Sequence, residues 1–546
     1  MHDTTATERP RIEDYALIGG GRTAALVSRD GSVDWLCWPR LDAPACFAAL
    51  LGDVENGTWF LGPAGPAETT RGYEPGSTVL RTEHRTEGGR VRVTDFMPPP
   101  GKRDALVRLV EGLEGTVEMR LLLALRPDYG RTIPWVERLD RGAGGPFRWR
   151  AVAGPNLFVL TSPIDLQGVG MRTEGAFAVR AGARLAFELA HGPSHADLPA
   201  PADGWAELEA CRAHWRRFAA RGRPLPGLPA EWQAAVDRSA VTLKALTYAA
   251  TGGIAAAATT SLPEHLGGTR NWDYRFCWLR DAAFTLDALM ACGHEAEAGA
   301  WRDWLMRAVA GAPEQLQIMY GLAGERILTE WEVPWLSGHR GSVPVRVGNA
   351  AADQFQLDVY GEVADALFEA RRRGLPEHPR AAALRPEILR CLERQWREPD
   401  EGIWEVRGER RHFTHSKVMA WAAFDRAARR AEKGGAEGCE WRALADAVRA
   451  EVEARAWDAR ASTFTQAYDS EEVDASLLLM PLYGFLPADD PRIEGQRHAP
   501  SGAIEQRRAD IAFQALDRTA QRRLRHGQFA RGGVEAARFG GSAELA

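Results

Sequence analysis

Short apolar or alternating runs separated by Gly, Pro and Asp turns fill the chain up to residue 202. Such runs fall at 16–18, 25–27, 33–36, 90–96, 105–110, 117–125 and 157–160. Segments of this length and spacing predict antiparallel strands and a β-sandwich. The triple glycine at 19–21 lacks the Gly-Lys-Ser/Thr ending of a phosphate loop and is read as a turn. The pattern then changes. Residues 205–218 carry apolar positions at three- and four-residue spacing, which predicts a helix, and Pro224, Pro226 and Pro229 break it. From Glu231 the helical period dominates, with candidate helices at 232–249, 281–292, 295–310, 354–370, 381–397, 417–431, 441–454 and 473–483. Serial helices fed by polar, aromatic loops predict an α/α toroid with its loops converging on one cleft.

Composition narrows the function classes. The net charge is −6, which argues against a broad basic surface for nucleic acid. No apolar run reaches the roughly 18–20 residues of a membrane helix, and the polar amino terminus lacks a signal pattern. No nucleic-acid or membrane partner is therefore expected. The 7 cysteines are scattered without a Cys-x-x-Cys pair, so neither a zinc site nor a disulfide framework is expected. A reducing, cytoplasmic setting is the simplest reading. The 19 Trp suit a large core, a sugar cleft lined by indole faces, or both.

Three loop clusters carry candidate chemistry. In 270–281, three Arg, two Asp, two Trp and a Tyr crowd together before a helix. Carboxylate and guanidinium groups can bond sugar hydroxyls while an indole covers a ring face; Asp281 could equally cap the helix. In 348–362, Asn349, Gln356 and Asp358 stand among apolar neighbours, as sugar contacts or as a capped helix start. In 400–408, Glu405 follows Trp404. A carboxylic acid against an indole would be desolvated and suited to general-acid work; the alternative is a surface Glu.

In order and spacing these clusters resemble family 15 glycoside hydrolases, the group of bacterial glucoamylase, glucodextranase and trehalase-like enzymes. The resemblance covers roughly residues 11–495. It starts with 12–19 and 30–40, runs through 272–281, 345–349, 402–407 and 413–419, and ends with 474–477 and 485–487. It implies a multi-domain protein with an N-terminal antiparallel β-sandwich followed by an (α/α)6-type barrel, incomplete at the C-terminus. The expected divisions are a sandwich at 1–202, a linker helix and connection at 203–230, a catalytic barrel at 231–495 and an atypical tail at 496–546.

The resemblance also implies exo-acting release of glucose from α-linked oligo- or disaccharides with inversion. No metal-ligand cluster is evident in the sequence, so neither metal nor cofactor is expected, although some relatives use ions. Glu405 matches the general acid. Arg280 and Asp281 match the pair holding hydroxyls of the terminal glucose, and Trp278 and Trp404 match aromatic residues of that subsite. Gln356, Asp358 and Lys417 are carried over as further substrate-binding residues. Trp331 and Trp335 could stack a second sugar or pack their own loop.

An inverting enzyme needs a second carboxylate about 6.5–9.5 Å from the acid. The family's base is a Glu near the carboxyl end, and no matching run occurs in the tail. Ser470-Glu471-Glu472 resembles it superficially but directly precedes a helical segment. The tail is rich in Arg and Ala, without Lys, Trp, Tyr or Cys, as a shifted reading frame in a GC-rich gene would give. Two other readings stay open: a catalytically inactive carbohydrate-binding relative, and a disaccharide phosphorylase of related fold.

Overall fold

One strand organises the amino-terminal domain. In the computed structural model, which describes residues 10–101, 103–141, 144–311, 313–431 and 436–498, Asp104–Ala124 is a single strand. The two predicted runs at 105–110 and 117–125 are its halves. The first half pairs antiparallel with Gly89–Phe96 and Arg184–Pro193, the second with Thr58–Pro63 and Arg172–Arg180. The strand thus passes from one face of a sandwich to the other. Gly115 sits at the crossing with φ 61°, and a Cβ there would lie 2.1 Å from the Gly88 carbonyl oxygen. A side chain at that corner would clash with backbone. Trp59, Leu106, Leu121, Phe158 and Phe187 fill the interior between the faces.

A helix at Gly204–Ala219 follows, capped by the Asp203 carboxylate, which accepts from the Trp205 N–H at 2.9 Å. Its Leu208, Cys211, Trp215 and Phe218 pack on Phe96, Val107 and Leu109 of the sheet and on Val241 of the helix Ala230–Ala245. The architecture is therefore an antiparallel sheet domain followed by a helical domain, and no helix among the described residues is long and apolar enough to cross a membrane.

Two compact units divide the chain. One runs to Gln354 and takes in Ala366–Glu387; the other comprises Phe355–Asp365 and the residues from Ile388 onward. In the first unit, the sandwich is sewn to residues 254–347. Trp35 donates its indole N–H to the Ala258 carbonyl at 2.8 Å, and Leu50 and Tyr129 pack with Val333, Leu336 and Val345.

The second unit is built on the helix Thr414–Ala431, buried on all sides as far as Ala428. Small Ala side chains let neighbours approach closely. A Cβ on Gly361 would meet the Met419 carbonyl oxygen at 2.2 Å, so the helix Asp358–Arg372 and this helix touch backbone to backbone. The helix Ala436–Arg455 packs alongside, with Trp441 stacked on Phe424 at 6.0 Å. The predicted helix 473–483 is a 3-10 turn, Ala475–Leu479, followed by Met480–Tyr483. Most of the tail, from residue 499, lies outside the described residues.

Candidate active site

In the first unit, the 270–281 cluster is two short strands feeding a helix. Asn271–Asp273 pairs with Thr260–Pro263, and Cys277–Trp278 pairs with Met319–Tyr320. Between them Arg275 is completely buried. Its guanidinium bonds both oxygens of Asp273 at 2.9 and 2.7 Å, the Ala43 carbonyl at 2.7 Å and the Tyr129 hydroxyl at 2.8 Å. This pair pins the cluster to the sandwich.

Trp278 is buried, its ring 5.6 Å from that of Tyr274, and occupies the N-cap position of the helix Leu279–Ala291. Asp281 therefore does not cap the helix; it lies in the first turn, where the helix dipole favours a carboxylate. Arg280 approaches it at 3.3 Å, with the two side chains 20% and 42% exposed, so both can meet a solute.

Asn349 caps the 3-10 turn Ala350–Asp353, accepting from the Ala351 N–H at 3.0 Å and donating to the Asp273 carbonyl at 3.2 Å. Trp335 donates its indole N–H to the Tyr129 carbonyl at 2.9 Å, under the Arg131 guanidinium at 4.9 Å. Trp331, 5.9 Å from Trp335, is exposed.

In the second unit, Glu405 is half-buried and carries φ 55°, left-handed backbone that costs an L-residue roughly 1–2 kcal/mol. Such strain persists where the surroundings over-determine it, typically at functional sites. Trp404 beside it is exposed, and its indole N–H donates to Asp474 Oδ2 at 2.6 Å.

The loop is zipped to the segment bearing Gln356 and Asp358. The Leu357 N–H donates to Asp400 Oδ2 at 2.9 Å and the Phe355 N–H to Glu401 Oε2 at 2.8 Å; the Glu401 N–H donates to the Phe355 carbonyl at 3.1 Å.

Gln356 is buried, and Asp358 is wholly so; neither Asp358 oxygen accepts a hydrogen bond among the described residues. Asp400 is also fully buried. Burial pushes its carboxyl up; the Leu357 N–H opposes this and the Asp358 charge adds to it. Lys417 is fully buried as well, its ammonium donating to the carbonyls of Trp396 and Glu398, both at 2.6 Å. On the helix Asp358–Arg372, beyond Asp358, Glu362 accepts from the Tyr483 hydroxyl at 3.2 Å and Asp365 pairs with Arg426 at 2.8 Å.

The acidic pair 471–472 lies at the surface, whereas Asp474 is buried. Glu471 and Glu472 are exposed, and Glu472 pairs with Arg411 at 3.1 Å. Asp400 and the Asp273–Arg275 pair carry no mark in the local sequence that separates them from surface charges.

The profile of "Glycosyl hydrolases family 15" matches residues 232–511, more than half of the chain, and that of "Trehalase-like, N-terminal" matches residues 4–160. The chain belongs to glycosyl hydrolase family 15. It is a glycoside hydrolase. Among its relatives is the trehalase of Mycobacterium tuberculosis, 38% identical over 519 residues, spanning 89% of this chain and 74% of that one. The trehalase of Thermoplasma volcanium is 30% identical over 515 residues, spanning 90% of this chain and 79% of its own. A crystal structure of bacterial glucoamylase complexed with acarbose superposes with a TM-score of 0.64 at 14% identity, covering 88% of this chain and 76% of that one. That likeness is one of fold, and supports the α/α barrel architecture of the family 15 catalytic domain.

Proposed function

We propose that this family 15 enzyme releases glucose from α-linked glucosides, trehalose foremost, with inversion at the anomeric carbon and with Glu405 as general acid. The single observation that carries the acid assignment is the place of Glu405, a half-buried carboxylate beside Trp404 in a loop anchored at both ends, at the position that matches the family's general acid. The trehalase relatives support the choice of substrate.

A neutral Glu405 would give its proton to the glycosidic oxygen as the bond breaks, while a water attacks from the opposite face. Arg280 and Asp281 would bond hydroxyls of the terminal glucose, with Trp278 and Trp404 supplying apolar faces. Gln356 and Asp358 would accept or donate at further hydroxyls. The sandwich at 1–202, the connection at 203–230 and the barrel at 231–495 are taken as the working divisions. A cytoplasmic setting agrees with 7 free thiols, none of which is in a disulfide.

The experiment is an assay of the purified protein on trehalose, maltose, isomaltose and soluble starch. Wild type should release glucose from trehalose as equal amounts of the α- and β-anomers before mutarotation, by proton NMR, the β-anomer coming from the attacked ring; α-anomer alone would mean retention. Glu405→Gln should lose about 10²–10⁴-fold in kcat while sugar still raises its melting temperature. Sugar binding without glucose release by wild type would mean a binding protein. Release of glucose 1-phosphate that depends on phosphate would mean a phosphorylase.

A further inference from the structure

A buried ammonium beneath the catalytic loop is the charge least accounted for by sugar binding. Lys417 belongs to the first turn of the central helix Thr414–Ala431 and has no solvent exposure. Burying an ammonium is costly unless its charge and its donors are used. Two donors fix the carbonyls of Trp396 and Glu398, the stretch that enters the loop. Asp400, two residues beyond Glu398 and equally shut from water, feels that charge, although no ion pair joins the two side chains among the described residues.

Asp400 in turn holds three pieces of chain. Its side chain accepts from Leu357, and its own N–H and carbonyl pair with Arg411 at 2.9 Å each. One carboxylate therefore joins the segment carrying Gln356 and Asp358 to the loop carrying Trp404 and Glu405.

We infer that Lys417 is a positioning residue for Glu405: its ammonium fixes the backbone at 396–398 and supplies the countercharge to Asp400, which holds the catalytic loop in register. This rests on the reading of Glu405 as the general acid, and gives Lys417 a role other than the sugar contact expected from the sequence. The other charged or titratable groups facing the pair are Asp358, Glu398, Glu451, Arg455 and His412. All of them remain in the variants below.

The test compares wild type, Lys417→Met and the double variant Lys417→Met/Asp400→Asn on trehalose from pH 5.5 to 8. Lys417→Met should lose about 10–100-fold in kcat with KM changed less than about threefold, because the acid is misaimed while the sugar still binds. Without the ammonium, Asp400 is neutral and tolerated at low pH but ionised and uncompensated at high pH. The deficit of Lys417→Met relative to wild type should therefore widen as pH rises.

The double variant removes both charges and keeps an oxygen for the Leu357 N–H. It should recover to within about fivefold of wild type, with a constant ratio across pH. A purely space-filling lysine would give a pH-independent loss that Asp400→Asn does not repair, and that result overturns the inference. So does full kcat in Lys417→Met.

If Lys417→Met does not fold, the double variant decides alone. An active, folded double variant supports the countercharge; one that does not fold, or folds with kcat down more than tenfold, overturns it. Wild type without glucosidase activity would count against the proposed function only. In that case amide exchange at Leu357 and Arg411 carries the test. It should quicken about tenfold in Lys417→Met and return to the wild-type rate in the double variant, and unchanged exchange overturns the inference.

Discussion

Asp474 holds the indole of Trp404 by a 2.6 Å hydrogen bond while accepting from the Gln466 amide at 2.8 Å and the Ser476 N–H at 2.7 Å. An exposed Trp has two soft χ angles; this bond fixes them and leaves the ring face to a sugar. Bonds to a charged acceptor contribute about 1.5–3 kcal/mol. Asp474→Ala should therefore raise KM for trehalose about tenfold, with a smaller effect on kcat. Trp404→Phe keeps a face and loses the N–H. If the bond orients the ring, the double variant should cost about 1–2 kcal/mol less than the sum of the singles. Simple additivity in kcat/KM would sink the orienting role.

The left-handed backbone at Glu405 sets stability against activity at one residue. Glycine has no Cβ penalty in that region. Glu405→Gly should be more stable than Glu405→Ala by about 1 kcal/mol, although both lack the carboxyl. Urea midpoints of the two variants measure this. Equal midpoints would mean that the conformation costs nothing, and the argument from strain to function would fail.

The organisation of the chain was largely legible in its residues, because period and turn chemistry are local signals. The strands at 90–96 and 157–160 and the helices after Glu231 follow from spacing alone. Besides the helix expected at 473–483, which is a 3-10 turn and a short helical turn, two elements differ for physical reasons. The run at 354–357 has helical spacing, yet its backbone is spent on Asp400 and Glu401, so the helix starts only at Asp358. The runs at 105–110 and 117–125 look like two strands because the sheet-crossing glycines interrupt the apolar pattern. Trp35, Trp59, Trp278, Trp301, Trp304 and Trp396 are fully buried, so much of the tryptophan content belongs to the core, with Trp404 and Trp331 exposed. The candidate site was legible as motifs. The groups that hold it were not. A buried Asp400 or Arg275 is written with the same letter as a surface one, and only tertiary packing tells them apart.

Asp358 presents the opposite economy. Its carboxylate is fully buried and neither oxygen accepts a hydrogen bond among the described residues. A buried carboxyl whose oxygens are left without donors costs stability. Asp358→Asn should raise the unfolding free energy by about 1–3 kcal/mol while lowering kcat/KM on trehalose. A destabilised variant would mean that the carboxylate is a structural anchor and not a group reserved for a ligand.

Acid should destabilise the sandwich domain through two imidazoles. His84, beside the Thr69 hydroxyl at 2.9 Å, and His191, stacked on Trp38 at 5.5 Å, are both buried. Burial holds each of them down to about 4 from an ordinary value of 6.5, so both stay neutral in the folded chain where the unfolded chain takes up protons. The unfolded state binds more protons between those two values. Stability is therefore full above about pH 6.5 and is lost as pH falls toward 4. Between pH 7 and pH 5 each imidazole should withdraw about 2 kcal/mol. Urea unfolding followed by the fluorescence of the sandwich tryptophans measures it. His84→Asn keeps a group that can bond Thr69 but cannot titrate, and should cut the fall between pH 7 and 5 by about half. An unchanged slope in that variant would place the acid sensitivity elsewhere.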